Sequence, residues 1–277
     1  MSNKKFMVKC IMALMLCLIG LASCGDKVPA NEIHYRTIDN SVLPIKKLFY
    51  FGEGRIVSNS YVPEKNVCIL KLDQDVTEIK DSAFWGCESL TSITIPESVT
   101  EIGDSAFYGC SNLTFITLPE SLTEIGEKVF CNCRLKSISI PPSVTKIGKR
   151  AFDGCSNLTS IAIPPSVTKI GEMAFSRCSS LTSITIPPSV TEIGSFAFVG
   201  CSSLTGITIP SSVTEIRLWT FFDCSSLTDI SIPPSVKEIW DYAFSGCTSL
   251  TEVRIPKDCH VDEFAFEDCP NVQIIRY

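Results

Sequence analysis

The stretch Leu90-Thr91-Ser92-Ile93-Thr94-Ile95-Pro96-Glu97-Ser98-Val99-Thr100-Glu101-Ile102-Gly103-Asp104-Ser105-Ala106-Phe107-Tyr108-Gly109-Cys110 decides the fold, because near-copies of it return along the chain. Its closing cysteine is one of nine, Cys87, Cys110, Cys133, Cys155, Cys178, Cys201, Cys224, Cys247 and Cys269, at intervals of 23, 23, 22, 23, 23, 23, 23 and 22 residues. A fixed period in this range marks an array in which each copy is one supersecondary unit. Whatever matches the repeat is scaffold, and departures on solvent-facing positions are where function is sought.

Ile93 and Ile95 alternate with Ser92 and Thr94, and the pattern returns at Ile116 and Leu118, Ile138 and Ile140, and on to Val253 and Ile255. Period-two alternation in a β-branched run predicts a short strand with one buried face. The proline that follows lacks an N–H and stops it. In Ser98 to Gly103, Val99 and Ile102 are expected to point inward, with the glycine permitting a tight bend. Ala-Phe-x-x-Cys puts its apolar residues at i, i+1 and i+4, one face of a helical wheel, which predicts a short helical turn. One such unit cannot bury its own apolar face, whereas stacked copies close a continuous core. The expectation is a solenoid of about nine coils of 22–23 residues. At about 4.8 Å per strand its parallel sheet runs roughly 40 Å.

The pattern Leu-Thr-x-Ile-x-Ile-Pro-x-Ser-Val-Thr-x-Ile-Gly-x-x-Ala-Phe-x-x-Cys closely resembles the BspA-like, or Treponema-type, leucine-rich repeat family, over residues 67–277. That resemblance implies a curved leucine-rich repeat solenoid, with a parallel β-sheet on the concave face and short helical turns on the convex face. It also implies a place at a bacterial surface, in adhesion or host contact. The partner of any one member does not carry over.

Residues 1–23 read as a lipoprotein signal peptide: Lys4, Lys5 and Lys9 precede an apolar stretch from Cys10 to Ala22, too short to span a bilayer. Leu21-Ala22-Ser23-Cys24 resembles a lipobox, which implies cleavage before Cys24 and lipidation on it, an anchor to the membrane without a span. Loss of three lysines takes the formal charge from −6 to −9. Nucleic acid and other polyanions are therefore poor partners. Residues 24–32 read as a tether and 33–66 as an N-terminal cap, with strand-like content at 33–38, 45–51 and 56–61 and a first partner in Val67 to Leu72. The repeat domain then runs over 67–277. The last module carries Lys257, Asp258, Asp262, Glu263, Glu267 and Asp268, charges that read as protection of an edge.

Twelve cysteines remain beyond the signal and lipobox: the nine of the column, Cys68, Cys131 and Cys259. An exported chain meets an oxidising compartment, so bridges between neighbouring coils are one outcome. Placement beside Ala and Phe favours the other, packed free thiols. No zinc site is expected, since the thiols come one per coil. Only His34 and His260 are present, and neither sits in a catalytic motif; no P-loop, dinucleotide fingerprint or nucleophile elbow occurs. Neither enzymatic activity nor a cofactor is expected. Carboxylates fall in columns, with Glu78, Glu101 and Glu124, then Lys146 and Lys169, then Glu192, Glu215 and Glu238, expected to splay into water; divalent cation binding by the last three is a minor alternative.

Binding remains. The outward strand columns are mostly Ser and Thr, apart from Phe115 and the group Asp229, Glu252 and Arg254; they end on Ile274 and Arg276. Five residues before each cysteine the chain reads Ser82, Ser105, Lys128, Arg150, Met173, Phe196, Trp219, Tyr242 and Phe264. On the wheel this position faces outward, so four successive coils carry an aromatic there, joined by Phe222 one turn from Trp219 and by Trp240 in place of the usual glycine. An exposed aromatic strip marks an interface or a sugar-stacking surface. The function expected is a noncatalytic, lipid-anchored protein at the outer membrane or cell surface. Its solenoid binds an extracellular or host protein; the alternative is a glycan, for adhesion or nutrient capture.

Overall fold

The pull of one buried column per coil is visible directly in the computed structural model, which describes residues 28–44, 51 and 54–277. The signal segment, Cys24 and most of the strand expected over 45–51 lie outside the described residues. The coils stack in register as a solenoid whose strands Ser160–Ala162, Ser183–Thr185, Gly206–Thr208, Asp229–Ser231, Glu252–Ile255 and Gln273–Arg276 form one six-stranded parallel sheet. The first five keep their isoleucine or valine inside, as Ile161 opposite Ile184 and Ile207 opposite Ile230, while Ile274 and Ile275 of the last strand are exposed. Short parallel pairs such as Lys169–Ile170 against Glu192–Ile193 run along a second side.

Inside, one phenylalanine per coil builds a column from Phe84 to Phe266, with centroids 5.0–5.7 Å apart and ring planes within 21° of parallel. Eight of these rings are fully buried, so the column runs the length of the repeat. Phe51 of the cap continues it at 5.7 Å from Phe84.

The expected helical turn is absent: among the described residues there is no helix. The backbone explains it. The residue five before the cysteine has positive φ in eight coils, from Ser82 at 58° to Tyr242 at 58°, and the residue one before it has positive φ in all nine. Two left-handed residues with only three positions between them forbid a right-handed helix. The amides instead alternate. Trp85 and Cys87 donate within the coil to Ser82 and Phe84 carbonyls, while Ser82, Phe84 and Gly86 donate to Asp104, Ala106 and Tyr108 in the next coil. The apolar spacing matches a helix only because three-residue turns also return Ala, Phe and Cys to the inside.

The glycine column also has a different cause from the one expected. A Cβ at Gly171 would lie 2.6 Å from the carbonyl carbon of Gly148, so neighbouring coils touch there backbone to backbone. The glycine serves close approach rather than a bend.

Three strands close the N-terminal end: β1 (Glu32–Thr37), β2 (Ile56–Val62) and β3 (Val67–Leu72). The order β2-β3-β1 continues into Leu90–Thr94, with β1 antiparallel to both β3 and Leu90–Thr94. Val67 to Leu72 is thus the cap's partner as expected, yet β1 covers the edge of the first repeat strand. Tyr35, buried in β1, donates to Asn59 Oδ1 at 2.5 Å and accepts from the Leu43 amide at 3.1 Å. Burial pushes its hydroxyl pKa up to about 12.

Two coils depart from register. Cys133 and Leu135 are separated by one residue fewer than in other coils, and there the sheet thins to a single bridge between Ser139 and Ala162. In the last coil Gln273 pairs with Glu252 and Ile274 with Val253. That slip of one residue reverses the faces expected for Ile274 and Arg276. Arg276 lies opposite inward Ile255, and its Nη1 donates to the carbonyls of Pro256, Lys257 and Cys259 at 3.3, 3.2 and 2.6 Å.

Candidate binding surface

All twelve cysteines of the described residues are free, and all but Cys87 are buried. Each column thiol from Cys110 onward donates to the carbonyl of the phenylalanine in the preceding coil at 3.0–3.2 Å. Burial pushes the thiol pKa up to about 12 at Cys87 and Cys201 and about 11 at Cys131. Protonated, enclosed thiols are poor nucleophiles. Among the described residues no group of three or more His, Cys, Asp or Glu is arranged to hold a metal ion.

The charged column is not left splayed. Lys146 reaches Glu124 at 3.5 Å and Lys169 reaches Glu192 at 2.8 Å. Arg217 takes the place of a glycine and bridges Glu192 and Glu215 at 2.7 and 2.8 Å. Two of the three glutamates considered for a divalent cation are therefore held by a guanidinium. A trough of about 520 Å³ follows the glycine column between these charges.

The aromatic positions come together. Trp219 is the hub, with its ring centroid 6.0 Å from Phe196, 4.3 Å from Phe222 and 4.9 Å from Tyr242. Tyr242 passes the stack to Phe264 at 5.6 Å, and Phe264 is 40% exposed. The other four rings are half-buried, each covering part of its neighbour. Phe196, Trp219 and Tyr242 occupy left-handed backbone at φ 62°, 60° and 58°. Bulky residues are poorly suited to that conformation, which costs about 1–2 kcal/mol per residue. Trp240 stands apart in the glycine column, 41% exposed and outside these ring contacts.

The strand-face candidates lie elsewhere. Arg254 is bonded to Glu252 of its own strand at 3.0 Å, and Asp229 is exposed opposite Gly206. Phe115 is half-buried opposite Ser92 near the cap. These residues form no common cluster with the aromatic strip.

One pair was missed by sequence. Trp85 and Tyr108 pack with centroids 4.5 Å apart and planes tilted by 31°, and Trp85 is 56% exposed. Their shared position two before the cysteine, which Phe222 also occupies, was the available signal.

A family model for the BspA type leucine rich repeat region, in six copies, matches residues 55–159 and 145–273. This chain belongs to the BspA-type leucine-rich repeat family. Among similar solved structures is a leucine rich cell surface protein from Faecalibacterium prausnitzii A2-165. It is 35% identical with a TM-score of 0.52, over 74% of this chain and 64% of that one. This chain thus spans less than two thirds of that protein's length. The T. pallidum leucine rich repeat protein is 32% identical over 64% of this chain and 73% of that one, with a TM-score of 0.46. No curated protein matches the sequence.

Proposed function

We propose that this BspA-type repeat protein is a noncatalytic, lipid-anchored bacterial surface protein that binds an extracellular or host protein through the turn face of its solenoid. The observation that carries the reading is the stack Phe196-Trp219-Tyr242-Phe264 with Phe222 beside it. Buried phenylalanines already supply the core of the same coils. Rings added outside it, three of them at left-handed backbone positions unfavourable to them, contribute little that the scaffold lacks and much that an interface uses. The surface placement is supported by the family, by the cell surface protein of F. prausnitzii that this chain resembles, and by the lipobox-like Leu21-Ala22-Ser23-Cys24.

The test is capture of extracellular-matrix proteins by the chain lacking residues 1–23, against the variant Phe196→Ser/Trp219→Ser/Tyr242→Ser. Weakened capture with an unchanged circular dichroism spectrum supports the surface; unfolding of those coils assigns the rings to the core. A glycan reading draws on exposed Trp85 beside half-buried Tyr108, whose flat faces suit sugar C–H groups. A glycan array with Trp85→Ala as control decides it.

A further inference from the structure

The rings do not stand in neutral surroundings. Residues 219–268 hold ten Asp and Glu against three Lys and Arg, a formal −7, while the whole chain sums to −6. The negative charge of the protein is thus concentrated in the coils that carry the strip. It also follows the rings residue by residue: Asp241 precedes Tyr242, Glu263 precedes Phe264, Asp223 follows Phe222, and Glu267 and Asp268 follow Phe266.

Within this stretch the ion pairs among the described residues are Glu252–Arg254 and Asp262–His260. The carboxylates beside the rings are engaged differently. Asp241 Oδ1 accepts from the Phe264 amide at 3.1 Å, which fixes that carboxylate next to the Tyr242–Phe264 stack. Asp223, Glu263, Glu267 and Asp268 are exposed. Lysines and arginines elsewhere on the turn face, such as Lys128, Lys149 and Arg177, are paired with their own carboxylates in other coils.

Resting on the surface proposed above, we infer that its occupant is a Lys/Arg-rich segment of a partner protein. Trp and Tyr faces attract guanidinium and ammonium groups, and carboxylates at the ring edges add charge and hydrogen-bond acceptors. Arginine, with a planar group that stacks and forks at once, fits such a surface better than lysine. A neutral or acidic segment meets rings without pairing the carboxylates.

The experiment is fluorescence anisotropy of the purified protein with fluorescein-labelled oligoarginine, oligolysine and oligoglutamate. Two variants accompany it, Phe196→Ser/Trp219→Ser/Tyr242→Ser and Asp223→Asn/Glu263→Gln/Glu267→Gln. The expected result is binding of oligoarginine ahead of oligolysine, weakened by salt, and about tenfold weaker in each variant. Oligoarginine bound equally by the ring variant overturns the inference, since bulk acidity then accounts for it. Absence of oligoarginine binding overturns it too. If ring-dependent capture of matrix proteins persists in that case, the surface stands and only its cationic occupant falls. Should the ring variant fail to fold, Trp219→Leu, which keeps an apolar side chain and the charge but removes the aromatic face, takes its place, and unchanged oligoarginine binding by it overturns the inference.

Discussion

The thiol of Cys110 donates to the carbonyl oxygen of Phe84, 26 residues earlier, at 3.0 Å. The same carbonyl accepts the Cys87 amide of its own coil. One oxygen therefore closes a turn and ties two coils, and the arrangement recurs down the column. A small apolar side chain with one weak donor meets this need, which is why the period is written in cysteine.

Replacing Cys178, whose Sγ lies 3.2 Å from Phe152 O in a fully buried site, tests the ladder. Cys178→Ala removes packed volume and the donor and is expected to cost about 1–3 kcal/mol. Cys178→Ser keeps a donor and costs less. Urea unfolding orders the two; an alanine variant at least as stable as the serine one would show that the bond contributes nothing.

Stability should fall with alkaline pH. The folded pKa of Cys201 is raised to about 12 by burial, from 9.0. The native state then holds protons that the unfolded state has released. The contribution is complete below about pH 9 and is lost as pH rises toward 12, at about 1.4 kcal/mol per pH unit per thiol. Unfolding midpoints taken from pH 8 to 11 check this, and Cys201→Ala should flatten the slope.

Glycine has two roles that separate by mutation. Gly171→Ala forces a Cβ to within 2.6 Å of backbone, so the coils must part, at about 1–3 kcal/mol or more. Gly86 has φ of 64° and open space around it, so Gly86→Ala costs only the left-handed penalty, about 1 kcal/mol. Thermal melting of both variants should rank them in that order.

Asp153 is 3% exposed, and Arg177 of the next coil grips it through Nε and Nη2 at 2.9–3.0 Å. Arg177→Ala strands a buried carboxylate and should cost about 2–4 kcal/mol at neutral pH. Adding Asp153→Ser, the residue found at the equivalent Ser176, should recover most of that. A double mutant no more stable than Arg177→Ala would refute the pairing.

How far the surface could be read in advance varies by column. Phe196, Trp219, Tyr242 and Phe264 were legible as a strip because a fixed period aligns them without any coordinates. Trp85 and Tyr108 share an equally regular column and escaped because its three rings, these two and the distant Phe222, make no long run. Phe115, Asp229 and Arg254 were found as outliers in composition, but their separation from the strip depends on which side of the coil each column faces.

By itself the sequence determined the period, the inward columns of Ile, Val, Phe and Cys, and the stacking of identical coils, because a repeat that cannot bury its face alone has one economical solution. Only the tertiary structure decided that the helical spacing is a run of turns. Residues as different as Ser82, Lys128 and Trp219 adopt the same left-handed φ, imposed by amides bonded to the next coil rather than by their own preference. It also decided that β1 closes the first coil and that Gln273 slips the last strand by one residue. Both depend on pairing between strands, which a local pattern does not encode.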